Sequence, residues 1–251
     1  MRLIDNSQGN YRFLTGIAPY SSGVVAMPGY EVIYAVLQHP LPYRQGFELI
    51  DQHLANLHRP RQALCAIALR SPSPFTFAGF NEFNAGYQQL LIDWALLVEG
   101  ENPIARTNVA PEVAPPAEPS LYAFAYTVPG DNPAASPTFV VAGAGELYEG
   151  NLKAEAIVRA GETSTEAMRE KAAHVMGIMG ARLQGLQVGW PAVTAVDIYT
   201  VHALQSFLAP EILERMGPSA IHGVHWYYSR PPIAGLEFEM DMRGVRQEIR
   251  V

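Results

Sequence analysis

A proline-rich break, VPGDNPAASP at residues 128–137, falls near the middle of the 251-residue chain, and the same order of elements reads on either side of it. A repeated order is a strong constraint, because both repeats must solve the same packing problem. Before the break, EVIYAVL (31–37) reads as a strand rich in β-branched and aromatic residues. RQGFELIDQHLANL (44–57) has helical spacing at Phe47, Ile50, Leu54 and Leu57. ALCAIAL (63–69) is a continuous apolar run, as expected of a strand buried on both faces. A second helix is predicted over 77–97, and strands over 105–109 and 121–128. After the break come a strand at 138–143, a helix at 164–186 with Ser164 or Thr165 as N-cap, and a strand at 192–201. A second helix, interrupted by Pro210, is predicted over 204–217, with strands at 223–229 and 236–242.

Each half therefore reads strand, helix, strand, helix, strand, strand, an α+β unit with helices on one face of a sheet. The other sheet face needs a cover, which a second unit can supply. The expected division is a first domain at 1–128, a linker at 129–137 and a second domain at 138–251.

The charge balance, 17 basic against 24 acidic residues, argues against nucleic acid as a partner, which would need a basic surface. It leaves room for a small anion in a locally positive cleft. The single cysteine, Cys65, cannot form an internal disulfide and reads as a core residue. No segment has signal-peptide character, and no run approaches the roughly 20 apolar residues of a membrane span. The expectation is a cytoplasmic protein with no membrane partner.

Few residues carry chemistry. Arg106, in ARTNV, has no acid within three residues on its N-terminal side. It is either an ion-pair arginine or a clamp for a carboxylate, whose two oxygens match the guanidinium fork. In LEFEMDM the acids Glu237, Glu239 and Asp241 share one strand face. That face is either solvated or presents one acid desolvated enough to act as a general base. His222 and His225 lie three apart on a strand and face opposite sides, so no metal is expected. GAGEL lacks the third glycine of a dinucleotide fingerprint, because position 148 is tyrosine. Ser21 and Ser22 lack the glycine frame of a nucleophile elbow.

Several stretches carry a resemblance to the Rid family of enamine and imine deaminases, also called YjgF-like. They are APYSSG at 18–23, VIYAVLQHP, NAGYQQL from Asn84 and ARTN at 105–108 in the first half. In the second half they are FVVAGAGEL, AVTAVDIYTVHAL and GLEFEMD. The resemblance implies two tandem domains of the chorismate-mutase-like kind, each a mixed β-sheet with two helices on one face. Neither half matches the whole pattern. The first has Tyr20, Asn84 and Arg106, but Tyr122 stands near the place of the family's glutamate and Asn108 where many members have cysteine. The second has Gly143 and Glu237, with His225 near the place of the arginine.

Family sites lie between neighbouring domains of a trimer, so the resemblance implies a composite site with Arg106 facing Glu237. The expected catalytic set is Glu237, Arg106, Tyr20 and His225. Asn84, Asn108, Gly143, Tyr227 and Arg230 join Arg106 in substrate binding. The implied chemistry is hydrolytic loss of ammonia from a 2-imino or 2-enamino acid, with no metal or organic cofactor. A dicarboxylate such as 2-aminomuconate, from breakdown of aminophenols or nitroaromatics, would suit Arg106 at one end and His225 or Arg230 at the other. A trimer of two-domain chains is the expected assembly. Two rival readings stay open. One is a non-catalytic small-ligand-binding protein, whose pocket side chains would fill. The other is an amidohydrolase of a cyclic amide with serine-lysine pairs, for which the chain offers only Lys153 and Lys171.

Overall fold

The computed structural model describes residues 1–130, 136–148 and 152–251. Most of the expected linker, at 131–135, lies outside the described residues. The chain opens with three short strands, β1 (Leu3–Asn6), β2 (Tyr11–Leu14) and β3 (Gly23–Ala26). Then follow β4 (Tyr30–Pro42), α1 (Tyr43–Asn56), β5 (Leu64–Arg70), α2 (Phe77–Asp93), β6 (Ala105–Pro111) and β7 (Ser120–Pro129). The second half supplies β8 (Phe139–Gly145), α3 (Thr165–Gly185), β9 (Ala195–Tyr199), β10 (His225–Tyr227), β11 (Ser229–Arg230), β12 (Glu239–Gly244) and β13 (Gln247–Arg250).

The strands form two mixed sheets, β1-β2-β3-β8-β12-β9-β10 and β11-β6-β5-β7-β4-β13. Within them, β10-β9-β12-β8 and β6-β5-β7-β4 run in the same order. In each set the first two strands are parallel and the other neighbours antiparallel. The edges are exchanged. β3 pairs with β8, so the N-terminal strands extend the sheet of the second half. β11 pairs with β6 and β13 with β4, so late strands extend the sheet of the first half. These added strands cover ladder edges that would otherwise offer unpaired backbone groups.

Each sheet carries helices on its outer face. Phe47, Ile50 and Leu54 of α1, with Tyr87 and Leu91 of α2, pack on Ile67, Leu69 and Phe124. A Cβ at Gly46 would overlap the Leu121 side chain, so glycine lets α1 lie close to the sheet. Helix α3 packs Met168, Val175 and Met179 on Phe139, Val196 and Met242 of the other sheet. Thr76 caps α2 by accepting from the Gly79 N–H at 3.0 Å, and Ser164 caps α3 by accepting from the Ala167 N–H at 3.2 Å. The inner faces meet over small residues, Ala66, Ala68, Ala105, Ala123, Ala125 and Ala142, which let β6 and β8 approach each other. Burial on both faces explains the unbroken apolar run of β5.

The structure corrects several expected elements. The stretch 204–217 is not a regular helix but a π-helical turn, Leu208–Leu213, leading into one helical turn, Glu214–Met216. Pro210 falls inside it, where a missing N–H prevents a regular ladder. The expected strand at 223–229 divides into β10 and β11, which join different sheets. The last inner strand begins at Glu239 instead of 236, because the Glu237 and Phe238 N–H groups donate to the Glu146 carboxylate (2.6 and 3.1 Å) and not to a neighbouring strand. Strands β1–β3 and β13 were not expected at all.

Candidate active site

Arg106 is the second residue of β6, paired with Ile67 of β5, and is only 3% exposed. Its Nη2 donates to Asn84 Oδ1 at 2.7 Å, a contact supplied by one turn of α2. The rings of Tyr87 and Tyr20 lie 4.7 and 4.8 Å from the guanidinium carbon. Arg106 Nη1 is buried with no hydrogen-bond partner, and so are Asn84 Nδ2, Tyr87 Oη and Asn108 Nδ2. Asn108 is held by its other end, where Oδ1 accepts from Ser71 Oγ at 2.9 Å. A buried donor left unpaired costs about 1–3 kcal/mol, more when it is charged. Three of these four residues contribute N–H donors, and such a gathering suits an anion that would complete it.

The loop carrying Tyr20 is tied to the same sheet. Asn102 Nδ2 donates to the Pro19 carbonyl at 2.8 Å, the Ser21 N–H to the Ile104 carbonyl at 3.0 Å, and Ser21 Oγ to the Pro103 carbonyl at 3.1 Å. Ser21 and Ser22 are thus anchors of the loop, as Ser22 Oγ also donates to a backbone carbonyl, that of Thr15.

Across the inter-sheet layer stands Glu239, 4% exposed, the first residue of β12. Burial pushes its pKa well above the ordinary carboxylate range. Asp241 and Glu146 push it further, while Arg182 and Arg106 pull it back. Gly143 of β8 makes room for it, since a Cβ there would collide with the Glu239 carboxylate and press on Thr107. Tyr20, Phe80, Arg106, Asn108, Gly143 and Glu239 all line one small cavity of about 40 Å³, closed by Ile233 and Leu236. That cavity shares Tyr20, Gly143, Gly145, Leu147 and Leu152 with a larger cleft of about 340 Å³ that also reaches Arg182.

The structure thus brings together Arg106, Asn84, Tyr20, Asn108 and Gly143, and separates the others from them. Glu237 was expected opposite Arg106. Instead its Oε2 lies 2.8 Å from His202 Nε2 and 3.6 Å from an Arg230 Nη1, and it does not line the pocket. Glu239, two residues on and on the same strand face, takes the expected place. Arg230 is engaged by Glu112 at 2.6 Å. His225 Nδ1 is 2.7 Å from Asp197 Oδ1, and Tyr227 stacks on Tyr199 at 5.2 Å, both at the far end of the inter-sheet layer. The sequence signal for Glu239 was present in the alternation of LEFEMDM. Only the strand's starting point distinguishes it from Glu237.

Lys171, one of the two lysines open to a serine-lysine reading, is fully buried and donates to Glu146 Oε1 (3.0 Å) and the Val158 carbonyl (2.9 Å). It braces the turn before β12, and neither of these partners is a serine. Among the described residues no three His, Cys, Asp or Glu side chains gather in a way that could hold a metal ion. No helix among them is long and apolar enough to cross a membrane.

The architecture is shared with a solved chorismatase, which has 11% sequence identity and a TM-score of 0.51 over 89% of this chain and 77% of that one. At that identity the likeness shows fold alone: a mixed α+β arrangement with two sheets. The class of protein is fixed by sequence. The model of the 2-aminomuconate deaminase CnbZ family matches residues 3–249, and the chain belongs to that family. A 2-amino-5-chloromuconate deaminase of Comamonas testosteroni is 39% identical over 243 residues, 96% of each chain. The expectation of a 2-aminomuconate-type deaminase family is met by both matches.

Proposed function

We propose that the Arg106–Glu239 pocket is the active site of a hydrolytic deaminase that acts on 2-enamino dicarboxylates of the 2-aminomuconate class. The observation that carries the reading is a buried arginine with an unpaired N–H, lining one small cavity with a carboxyl group of raised pKa. A decayed binding protein has no need to keep either feature.

The carboxylate next to the amino-bearing carbon accepts from Arg106 Nη1 and from the amide of Asn108. Holding the substrate there converts proton transfer and water attack into steps within one complex. Glu239 begins protonated, as its burial favours. It gives that proton to a carbon of the enamine system, turning C–NH2 into C=NH2⁺ and leaving a carboxylate. The carboxylate then takes a proton from water as the water oxygen bonds to the iminium carbon, giving a carbinolamine. Glu239 returns this proton to the amino nitrogen. The C–N bond breaks, the hydroxyl proton passes to Glu239, and ammonia and a 2-oxo acid leave. Water is consumed, ammonia is released, and Glu239 ends as it began. Tyr20 borders the same space and is suited to stabilise the polar intermediate.

The chemistry asks for no cofactor, since the iminium is electrophilic by itself. The equal order and direction of β10-β9-β12-β8 and β6-β5-β7-β4 support two tandem Rid-like units. A cytoplasmic trimer of two-domain chains belongs to the same reading, and light scattering after size-exclusion chromatography tests the trimer. The deciding assay is ammonia release from freshly generated 2-aminomuconate. Rapid release by the native protein, lost in Arg106→Ala and Glu239→Gln, supports the reading. No release from this substrate or from small 2-imino acids returns the protein to the binding class.

A further inference from the structure

We infer that Arg182 recognises the second, distal carboxylate of the substrate. The inference rests on the deaminase reading above and extends it to the other end of the molecule. A dicarboxylate held by Arg106 at one end would leave a negative charge to be placed elsewhere in the cleft, and burying it without a partner is costly. His225 and Arg230, the sequence candidates for that role, line neither this cavity nor the cleft that adjoins it.

Arg182 comes from the last turn of α3 and is buried. Its Nη1 donates to the Ala142 carbonyl at 2.9 Å and the Gly143 carbonyl at 3.3 Å. These bonds fix the fork against β8, beside the glycine that makes room for Glu239. Arg182 lines the 340 Å³ cleft that adjoins the Arg106 cavity, and is the one charged side chain among the described residues lining it. Glu239 feels both Arg106 and Arg182 as attracting charges, so the acid lies within reach of both. An arginine in each of two connected cavities, with a proton-transfer group near both, suits an extended dianion reacting between its ends.

The test uses two unreactive six-carbon dienes, muconate with two carboxylates and sorbate with one, titrated calorimetrically into the intact protein. The native protein should bind muconate about tenfold or more tightly than sorbate. Arg182→Gln should abolish that preference while leaving sorbate affinity nearly unchanged, and Arg182→Lys should restore part of it. Tyr148→Glu, which adds a negative charge at an exposed position on the same cleft, should weaken muconate more than sorbate. It keeps the test alive should Arg182→Gln fail to fold. Equal weakening of both ligands in Arg182→Gln would mean that Arg182 acts only through Glu239. That outcome, a Tyr148→Glu protein with unchanged muconate preference, or no native preference at all, overturns the inference. Failure of the native protein to release ammonia from 2-aminomuconate would defeat the deaminase reading separately, because the muconate–sorbate contrast does not depend on turnover.

Discussion

The molecule holds two arginine-centred groups, one beside α2 and one between the sheets, and they are built in opposite ways. At the Arg243 end every charge has a partner. Arg243 Nη1 donates to Asp197 Oδ2 at 2.7 Å and its Nε to Glu248 Oε1 at 2.6 Å. Asp197 Oδ1 lies 2.7 Å from His225 Nδ1, and Tyr199 Oη donates to Asp241 Oδ2 at 3.0 Å. Tyr122, near the place of the family's glutamate, covers the Arg70 guanidinium at 4.0 Å. At the Arg106 end four polar atoms have no partner, and a glutamate of raised pKa shares the cavity. A closed network stabilises and specifies; an incomplete one spends folding free energy to stay ready for a ligand. Under the proposed function, the second arrangement is the catalytic one.

The contrast can be broken most directly by exchanging each arginine for methionine. Arg106→Met should cut kcat/KM for 2-aminomuconate about a thousandfold, some 4 kcal/mol of lost transition-state binding. Its melting temperature should hold or rise, because an unpaired buried charge is removed. Arg243→Met should do the reverse. It strands the buried Asp197 and should cost about 3 kcal/mol of stability, read by urea unfolding, with turnover per folded molecule nearly kept. Equal effects of the two on stability would end the distinction between the ends.

Glu239→Gln sharpens the same point within the open end. It keeps the shape and removes the proton carrier, so kcat should fall about a hundredfold or more with KM little changed. In the native protein kcat/KM should decline as pH rises through the elevated pKa of Glu239, since the protonated form begins the cycle. A smaller effect distinguishes the closed end. Burial and the charge of Asp197 push Asp241 up to about 7, from 3.8. Between these values the unfolded chain loses this proton while the folded protein keeps it. Stability should therefore fall as pH rises from about 4 to about 7. Asp241→Asn should flatten that slope in melting temperatures; an unchanged slope would place the titration elsewhere.

The side chains that gather around Arg106 were legible because each sits in a short local pattern: Tyr20 in APYSSG, Asn84 in NAGYQQL, Arg106 and Asn108 in ARTN, Gly143 in GAGEL. The acid was legible only to within its strand face. A two-residue period places Glu237 and Glu239 alike and cannot say where the strand begins. That point is decided by Glu146, 91 residues from Glu237 in sequence, which captures two N–H groups ahead of β12. The expected roles of His225 and Arg230 failed for a similar reason. Their partners Asp197 and Glu112 are 28 and 118 residues away, and no local pattern announces such pairs. The N-terminal strands escaped notice because they are four residues long and gain their stability from pairing to β8, more than a hundred residues onward.

By itself the sequence determined the alternation of helices and strands and the twofold order of the inner strands, because these follow from periodicity, and through a family resemblance it pointed to Arg106, Asn84 and Asn108. The tertiary structure alone decided which acid meets the arginine, which polar atoms stay unpaired and which of the two groups closes on itself. Those outcomes depend on burial and on partners distant in the chain, where desolvation and close contact set the energy of a charge.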